Sequence, residues 1–437
     1  MASAGLVVAG MVALIVIRIP IGAAMFIAGA IGFWALVDYD PLMSHLRGAV
    51  WARFSNYDLS VIPLFVLMGH FAAEAGFSRA LFRAAHAFVG HLRGGIAMSA
   101  IVACAAFGTI CGSSVATAAT MSQVALPEMR RFRYANPLAT GALVAGGTLG
   151  IVIPPSVVLI LYAVIAEQNI AKLFAAAFVP GFIAAIAYLA VIAVVVRLRP
   201  DYVTVSPKAP AAERRQAIRT AWPIAAIFLG MFGGLYGGIF TPTEAATMGA
   251  IGTLLLGVVR RDLGWRGVLR ALLPTAQTTA LIFFILLGAD MMNSALAVTQ
   301  LPAQVGEALS GLAVHPLVIV GGILMVYVLL GAVLDEVAIA VLTLPIILPT
   351  ILGLDLHGLE PDEKSIWFGI LMLSVIQIGL ILPPVALNIY VVHAFVRDVR
   401  IQEIYRGVMP FVTADIARLV LLLVAPSVSL WAMRLIE

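Results

Sequence analysis

Charge is what this chain has least of. Asp, Glu, Lys and Arg make up 11% of its 437 residues, against about 25% in an ordinary soluble domain. With 62% hydrophobic residues and a mean hydropathy of +1.07, that scarcity excludes a soluble globular protein. Cysteine is nearly absent: Cys104 and Cys111 share one apolar run, so a disulfide framework or cysteine metal site is excluded and both read as packing residues. The seven histidines form no His-x-x-x-His pair or other ligand spacing, which argues against an intramembrane enzyme. No basic cluster is interleaved with aromatics, so the net charge of +4 does not point to nucleic acid. No Lys or Arg precedes the first apolar run, Leu6 to Ile17, so it lacks the positive start of a secretory signal and reads as a retained first helix.

What the chain does have is long apolar runs. Each bilayer crossing needs about 20 mostly apolar residues, and hydropathy predicts spans near 4–18, 20–37, 58–76, 136–165, 174–197, 220–237, 242–258, 275–296, 367–394 and 410–434. The fold class is therefore an all-α polytopic membrane protein embedded in the lipid bilayer. The basic residues fall in blocks: Arg79, Arg83 and Arg93; Arg130, Arg131 and Arg133; Arg197 to Arg219; Arg260 to Arg270; Arg397, Arg400 and Arg406. One topology, with the N-terminus outside, puts every block on the cytoplasmic side. It requires segment 95–128 to be a re-entrant hairpin, because both its flanks are basic. The hairpin tip is Gly108-Thr109-Ile110-Cys111-Gly112-Ser113-Ser114. Segment 315–351 has flanks poor in Lys and Arg, with Asp355, Glu360, Asp362 and Glu363 following. It is expected to be a second hairpin opening outside, with its tip at Gly331-Ala332-Val333-Leu334-Asp335-Glu336.

The two halves repeat each other. Leu149-Gly150-Ile151-Val152-Ile153-Pro154-Pro155 answers Ile378-Gly379-Leu380-Ile381-Leu382-Pro383-Pro384. Pro20-Ile21-Gly22-Ala23-Ala24 answers Pro242-Thr243-Glu244-Ala245-Ala246, Leu64 to Gly69 answers Phe283 to Gly288, and Gly108 answers Gly331. The order is preserved, and an insertion in the acidic loop around 352–365 accounts for the drifting offset. Corresponding hairpins lie on opposite faces in the charge-defined topology, which makes this an inverted-topology repeat with two broken helices. The expected boundaries are 1–196 for the first repeat, 197–219 for a cytoplasmic linker and 220–437 for the second.

A broken helix exposes carbonyls and half-helix ends at membrane depth, where they can hold a cation or face an anion. Ser113, Ser114 and Thr117 add hydroxyls at the first such place, and Asp335 a carboxylate at the second. An intramembrane carboxylate is costly, so Asp335 reads as functional, or else as a structural partner for a nearby hydroxyl or amide. Glu336 beside it is expected to point elsewhere and face water. Asn388 either lines a cavity or bonds a neighbouring helix. Asp290 reads as interfacial, and Glu244, after Thr241 and Pro242, as a helix cap. Segments 77–93 and 259–273 have the spacing either of helices lying in the interface or of ordinary positively charged loops.

With Gly112-Ser113-Ser114-Val115-Ala116-Thr117, Leu149 to Ser156, Leu173-Phe174, Pro180-Gly181, Thr241 to Ala246, Gly331 to Asp335 and Pro383-Pro384, the chain resembles the large membrane subunit of TRAP transporters, the tripartite ATP-independent periplasmic systems. The resemblance runs from about residue 4 to the C-terminus. It departs at Cys111, where the family usually has serine, which puts any side-chain ligand role there in doubt. The resemblance implies an elevator-type secondary transporter of the bacterial inner membrane, with Na+ as coupling ion. It implies two partners, a small four-helix membrane subunit and a periplasmic substrate-binding protein, and a small organic acid such as a dicarboxylate or sialic acid as substrate. It places one sodium among Ser113, Gly150, Ile153 and Pro155 and, by the repeat, a second near Gly331, Gly379 and Leu382. Ser113, Ser114, Thr117, Asp335 and Asn388 are then the expected substrate contacts. The alternative expectation is a stand-alone sodium-coupled dicarboxylate or anion transporter of related architecture.

Overall fold

A computed structural model describes residues 2–311 and 314–436. Its described residues are helical, in the order α1 (Ala2–Val16), α2 (Ile21–Leu36), α3 (Tyr39–Phe54), α4 (Val61–Glu74), α5 (Phe77–Val89), α6 (Gly95–Cys111), α7 (Ser114–Arg131), α8 (Asn136–Val152), α9 (Val157–Ile165) and α10 (Ile170–Leu198). There follow α11 (Ala211–Tyr236), α12 (Pro242–Val259), α13 (Trp265–Val298), α14 (Leu301–Ser310), α15 (Pro316–Gly331), α16 (Glu336–Gly353), α17 (Pro361–Gly379), α18 (Leu387–His393), α19 (Ile401–Val424) and α20 (Ser427–Arg434). Among the described residues, seven helical segments are long and apolar enough to cross a membrane, the α8–α9 pair counting as one, and an eighth is added if the bent pair α4–α5 is a single span. The arms α6 and α15 are apolar but only 17 and 16 residues long. At 1.5 Å per residue each is about 25 Å long, short of a hydrocarbon core of about 30 Å.

Local chemistry sets the helix ends. Thr241 and Glu244 form a reciprocal capping box at the start of α12, with Pro242 in its first turn, so Glu244 is the cap its surroundings suggest. Gly76, left-handed at φ 69°, ends α4 and lets α5 leave at 66°. The corresponding arm of the second half does not separate: residues 265–273 continue into the span as one helix, α13. No left-handed residue interrupts α13. Arg270 on α13 bonds Glu74 at the end of α4 at 2.9 Å. Helix α11 begins at Ala211, inside the stretch expected as linker, and α3 occupies a stretch that hydropathy left without a span.

The core is built around the interrupted helices. Of the apolar stretch through α8 and α9, 89% is buried, and every residue of α17 from Ser365 to Gly379 is buried. Irregular backbone at membrane depth is tolerable in such a position because protein, not lipid, surrounds it. Hairpin α6–α7 packs on α8, and hairpin α15–α16 on α17. The second halves cross over: α9 packs on α16, and α18 on α7. Outside this centre, α2 and α13 form a long contact, brought close by Gly29, where a Cβ would lie 2.6 Å from the Met292 nitrogen.

Candidate functional site

The helix breaks follow from missing donors. Proline has no N–H, so Pro154 and Pro155 remove the bonds that the Gly150 and Ile151 carbonyls would accept from four residues on. Ile153 turns extended (φ −89°, ψ 121°) and ends α8, and α9 resumes at Val157. Pro383 and Pro384 do the same to the carbonyls of Gly379 and Leu380. Both Pro-Pro peptides are cis.

The two breaks differ in what happens next. At the second, the Leu382 N–H donates to the Gly379 carbonyl at 3.2 Å and the Asn388 N–H to the Leu380 carbonyl at 3.3 Å. Among the described residues no backbone N–H makes the equivalent return to Gly150 or Ile151. The first break therefore keeps two carbonyls open to a cation. It is also the more enclosed, since Pro154 and Pro155 are buried whereas Pro383 and Pro384 are exposed.

Each break is met by a hairpin tip, glycine against glycine. A Cβ on Gly108 would lie 2.6 Å from the Gly150 Cα, and one on Gly150 would lie 2.6 Å from Thr117 Oγ1 and 2.8 Å from the Ser113 carbonyl oxygen. Gly112, left-handed at φ 64°, carries the chain between the arms and approaches the Pro155 carbonyl. Ser113 caps α7 by accepting from the Ala116 N–H. The structure thus brings Ser113, Thr117, Gly150 and Pro155 to one place. Ile153 packs its side chain toward Gly181 on α10, so only its backbone can serve a cation. At the second tip, a Cβ on Gly379 would lie 2.6 Å from the Gly331 Cα, and the Val385 N–H donates to the Ala332 carbonyl at 3.1 Å. Leu382, aliphatic and half-buried, likewise has only its carbonyl to offer.

The polar residues around the tips are placed unequally. Asp335 caps α16: its Oδ1 accepts from the Val337 and Ala338 N–H groups at 3.1 and 3.0 Å. That is the structural partnership open from sequence, and it leaves the second oxygen unused by the cap. Glu336 does not face water as expected. Its Oε2 is buried without a hydrogen-bond partner, and its carboxylate lies beside the Ser114 hydroxyl on the other hairpin. The reason is that Ser114, at the start of α7, comes up against the N-terminus of α16. Ser114, Asn388 and Ser156 are all fully buried, and the side-chain polar atoms of each have no hydrogen-bond partner in the protein. Such orphaned groups are costly without a partner, which makes Ser114, Ser156 and Asn388 candidates to bind a polar ligand. Cys111, half-buried and free, packs its backbone against Gly69 on α4.

Sequence reading misplaced Glu336 and gave Ser156 no role of its own. It also missed a buried ion pair, Asp415 and Arg418 on α19, 3.2 Å apart. The signal was present: two opposite charges three residues apart inside a span otherwise apolar.

Comparison with known proteins identifies the family. Residues 8–428 match the model of the family described as the tripartite ATP-independent periplasmic transporter, DctM component. The C4-dicarboxylate TRAP transporter large permease protein DctM of Pseudomonas aeruginosa is 33% identical over 378 residues, 86% of each chain. The sialic acid TRAP transporter large permease protein SiaM of Vibrio cholerae is 30% identical, over 86% of each chain, and the ectoine permease protein TeaC of Halomonas elongata is 27% identical over 98% of each. The crystal structure of the YdaH transporter of Alcanivorax borkumensis superposes with a TM-score of 0.62 over 90% of each chain at 14% identity, a likeness of fold alone. The chain belongs to the DctM component family of TRAP transporters, and is a multi-pass membrane transport protein rather than an enzyme.

Proposed function

We propose that this protein is the membrane-spanning large subunit of a sodium-coupled symporter that imports a small organic acid by an elevator motion. The observation that carries the reading is the duplicated contact of hairpin tip and helix break, Gly108 on Gly150 and Gly331 on Gly379. At the first, the open carbonyls of Gly150 and Ile151 lie beside the N-terminus of α7 within buried protein, a setting that suits a bare cation next to an anion; the second repeats the contact with its Gly379 and Leu380 carbonyls already bonded. Inverted repeats of residues 1–196 and 220–437 account for the duplication. The first sodium is held by backbone at Gly150, Ile153 and Pro155 with Ser113, and the second at Gly331, Gly379 and Leu382. The substrate lies between the tips, against Ser113, Ser114, Thr117, Asp335 and Asn388. The uncapped N-terminus of α9, where the Ser156 hydroxyl is unpaired, adds N–H donors for an anionic group.

The names of the relatives give the substrate range to test first: C4-dicarboxylates, sialic acid and ectoine. A small membrane subunit and a periplasmic binding protein complete the system, and two relatives, the isethionate permease protein DctMQ of Oleidesulfovibrio alaskensis and the sialic acid permease protein SiaT of Haemophilus influenzae, are longer than this chain, which spans 60% and 65% of them. The N-terminus lies on the periplasmic side of the inner membrane, as the basic blocks require.

The test is uptake in proteoliposomes containing the large and small subunits, with the loaded binding protein outside. Uptake that collapses when sodium is replaced by potassium supports the reading. Uptake unchanged without a sodium gradient overturns the coupling, and full uptake without the binding protein overturns the tripartite assembly.

A further inference from the structure

Burying an ion pair inside a membrane domain is expensive unless every group is held. Arg418 and Asp415 are 3% and 1% exposed. They hold an amide. An Arg418 Nη donates to the Gln377 Oε1, while the Gln377 Nε2 donates to Thr148 Oγ1 at 2.9 Å and to the Tyr188 hydroxyl at 2.7 Å. Tyr188 in turn donates to Asp415. Thr148, Gln377 and Tyr188 are all fully buried.

The positions of the two middle residues give the network its meaning. Thr148 stands two residues before Gly150 on α8, and Gln377 two residues before Gly379 on α17. They are equivalents in the repeat, and they bond each other. The chain of bonds therefore joins α8, α10, α17 and α19, two helices from each half, directly behind both breaks. A further strand reaches the first break from its other side: Arg418 donates to the Pro180 carbonyl at 3.4 Å, and Gly181 next to it abuts Ile153.

We propose that Thr148, Gln377, Tyr188, Asp415 and Arg418 form a positioning unit that couples the two helix breaks, so that filling one cation site favours filling the other. The Gln377 amide is engaged at both its oxygen and its nitrogen, so it cannot turn without breaking a bond. Hydrogen bonds weaken steeply with misalignment, so a shift of α8 at Gly150 is felt by α17 at Gly379. Such coupling is reciprocal. The inference rests on the two-sodium reading above and adds to it a mechanism of cooperativity.

The test variant is Thr148→Val, which is close to isosteric, removes the bridging hydroxyl and leaves Arg418, Asp415 and Gln377 paired. Thr148→Ser restores the hydroxyl. The readout is the sodium dependence of uptake by the reconstituted complex. We expect a Hill coefficient above one in the parent, falling toward one in Thr148→Val with half-saturating sodium raised roughly 5-fold or more, and recovered in Thr148→Ser. Tyr188→Phe is the second variant: it keeps the ring packed on Phe411 and removes the hydroxyl between Gln377 and Asp415, with the same expected loss. A cooperative parent with equally cooperative Thr148→Val and Tyr188→Phe overturns the coupling alone. A parent whose uptake ignores sodium overturns the sodium reading and the coupling together.

Discussion

Thr117 donates its hydroxyl to the Ser113 carbonyl at 2.7 Å, closing the first turn of α7 directly beneath Gly150. The hairpin tip is thereby braced against the helix break by atoms that have no room to retreat, and the same lack of slack makes the site sensitive to single carbons.

Gly150→Ala adds a methyl group where Thr117 Oγ1 and the Ser113 carbonyl oxygen already stand within 3 Å of it. Overpacking of this kind costs about 1–3 kcal/mol. We expect uptake to fall at least tenfold while the protein remains monodisperse on size exclusion in detergent. Gly321→Ala on α15, where nothing lies within 4 Å, is the control and should transport normally.

Asp335→Asn separates charge from capping. Asn caps a helix about as well as Asp, so the bonds to Val337 and Ala338 survive and the expression level should hold. Loss of the negative charge should abolish uptake or reduce it severely. Normal uptake by this variant would reduce Asp335 to a helix cap.

The two breaks should differ in accessibility. Val385, beside the exposed Pro384, is 40% exposed, whereas Ile153 is 2% exposed. Val385→Cys should react with a hydrophilic maleimide faster than the parent protein does, and Ile153→Cys should add no labelling. Equal labelling at both positions would contradict the enclosed first site.

One prediction concerns acid. Arg130 at the end of α7 donates twice to Asp398, at 2.6 and 2.8 Å, and this hydrogen bonding holds the Asp398 carboxyl below its ordinary range. A carboxylate whose folded pKa is depressed contributes stability above its unfolded pKa and loses it as pH falls through the folded value. The pair is exposed, so its contribution is small. Asp398→Asn should lower the melting temperature slightly at pH 7, and the difference from the parent should shrink and then vanish as the pH is taken below the ordinary carboxylate range; a difference that persists in strong acid would assign the effect to packing.

Much of the site was legible because its causes are local. A proline pair strips donors from carbonyls four residues back whatever surrounds it, so both breaks and their glycines could be read directly, and the resemblance resting on those motifs is borne out by the family match. Asp335 was legible as costly, but its work as a cap depends on where α16 begins. Glu336 was misread because its direction is set by the other hairpin, and Asn388 became interpretable only when burial left its amide without partners.

By itself, the order of residues determined that this chain lies in a membrane and where its helices break, because hydropathy and missing N–H groups act along the chain. Tertiary structure alone decided what meets across it. Ser114 lies beside Glu336, Gln377 bonds Thr148 from 229 residues away, and one break is enclosed with its carbonyls unbonded while its counterpart is exposed with them bonded. Those relations depend on packing between helices distant in sequence, which no local rule specifies.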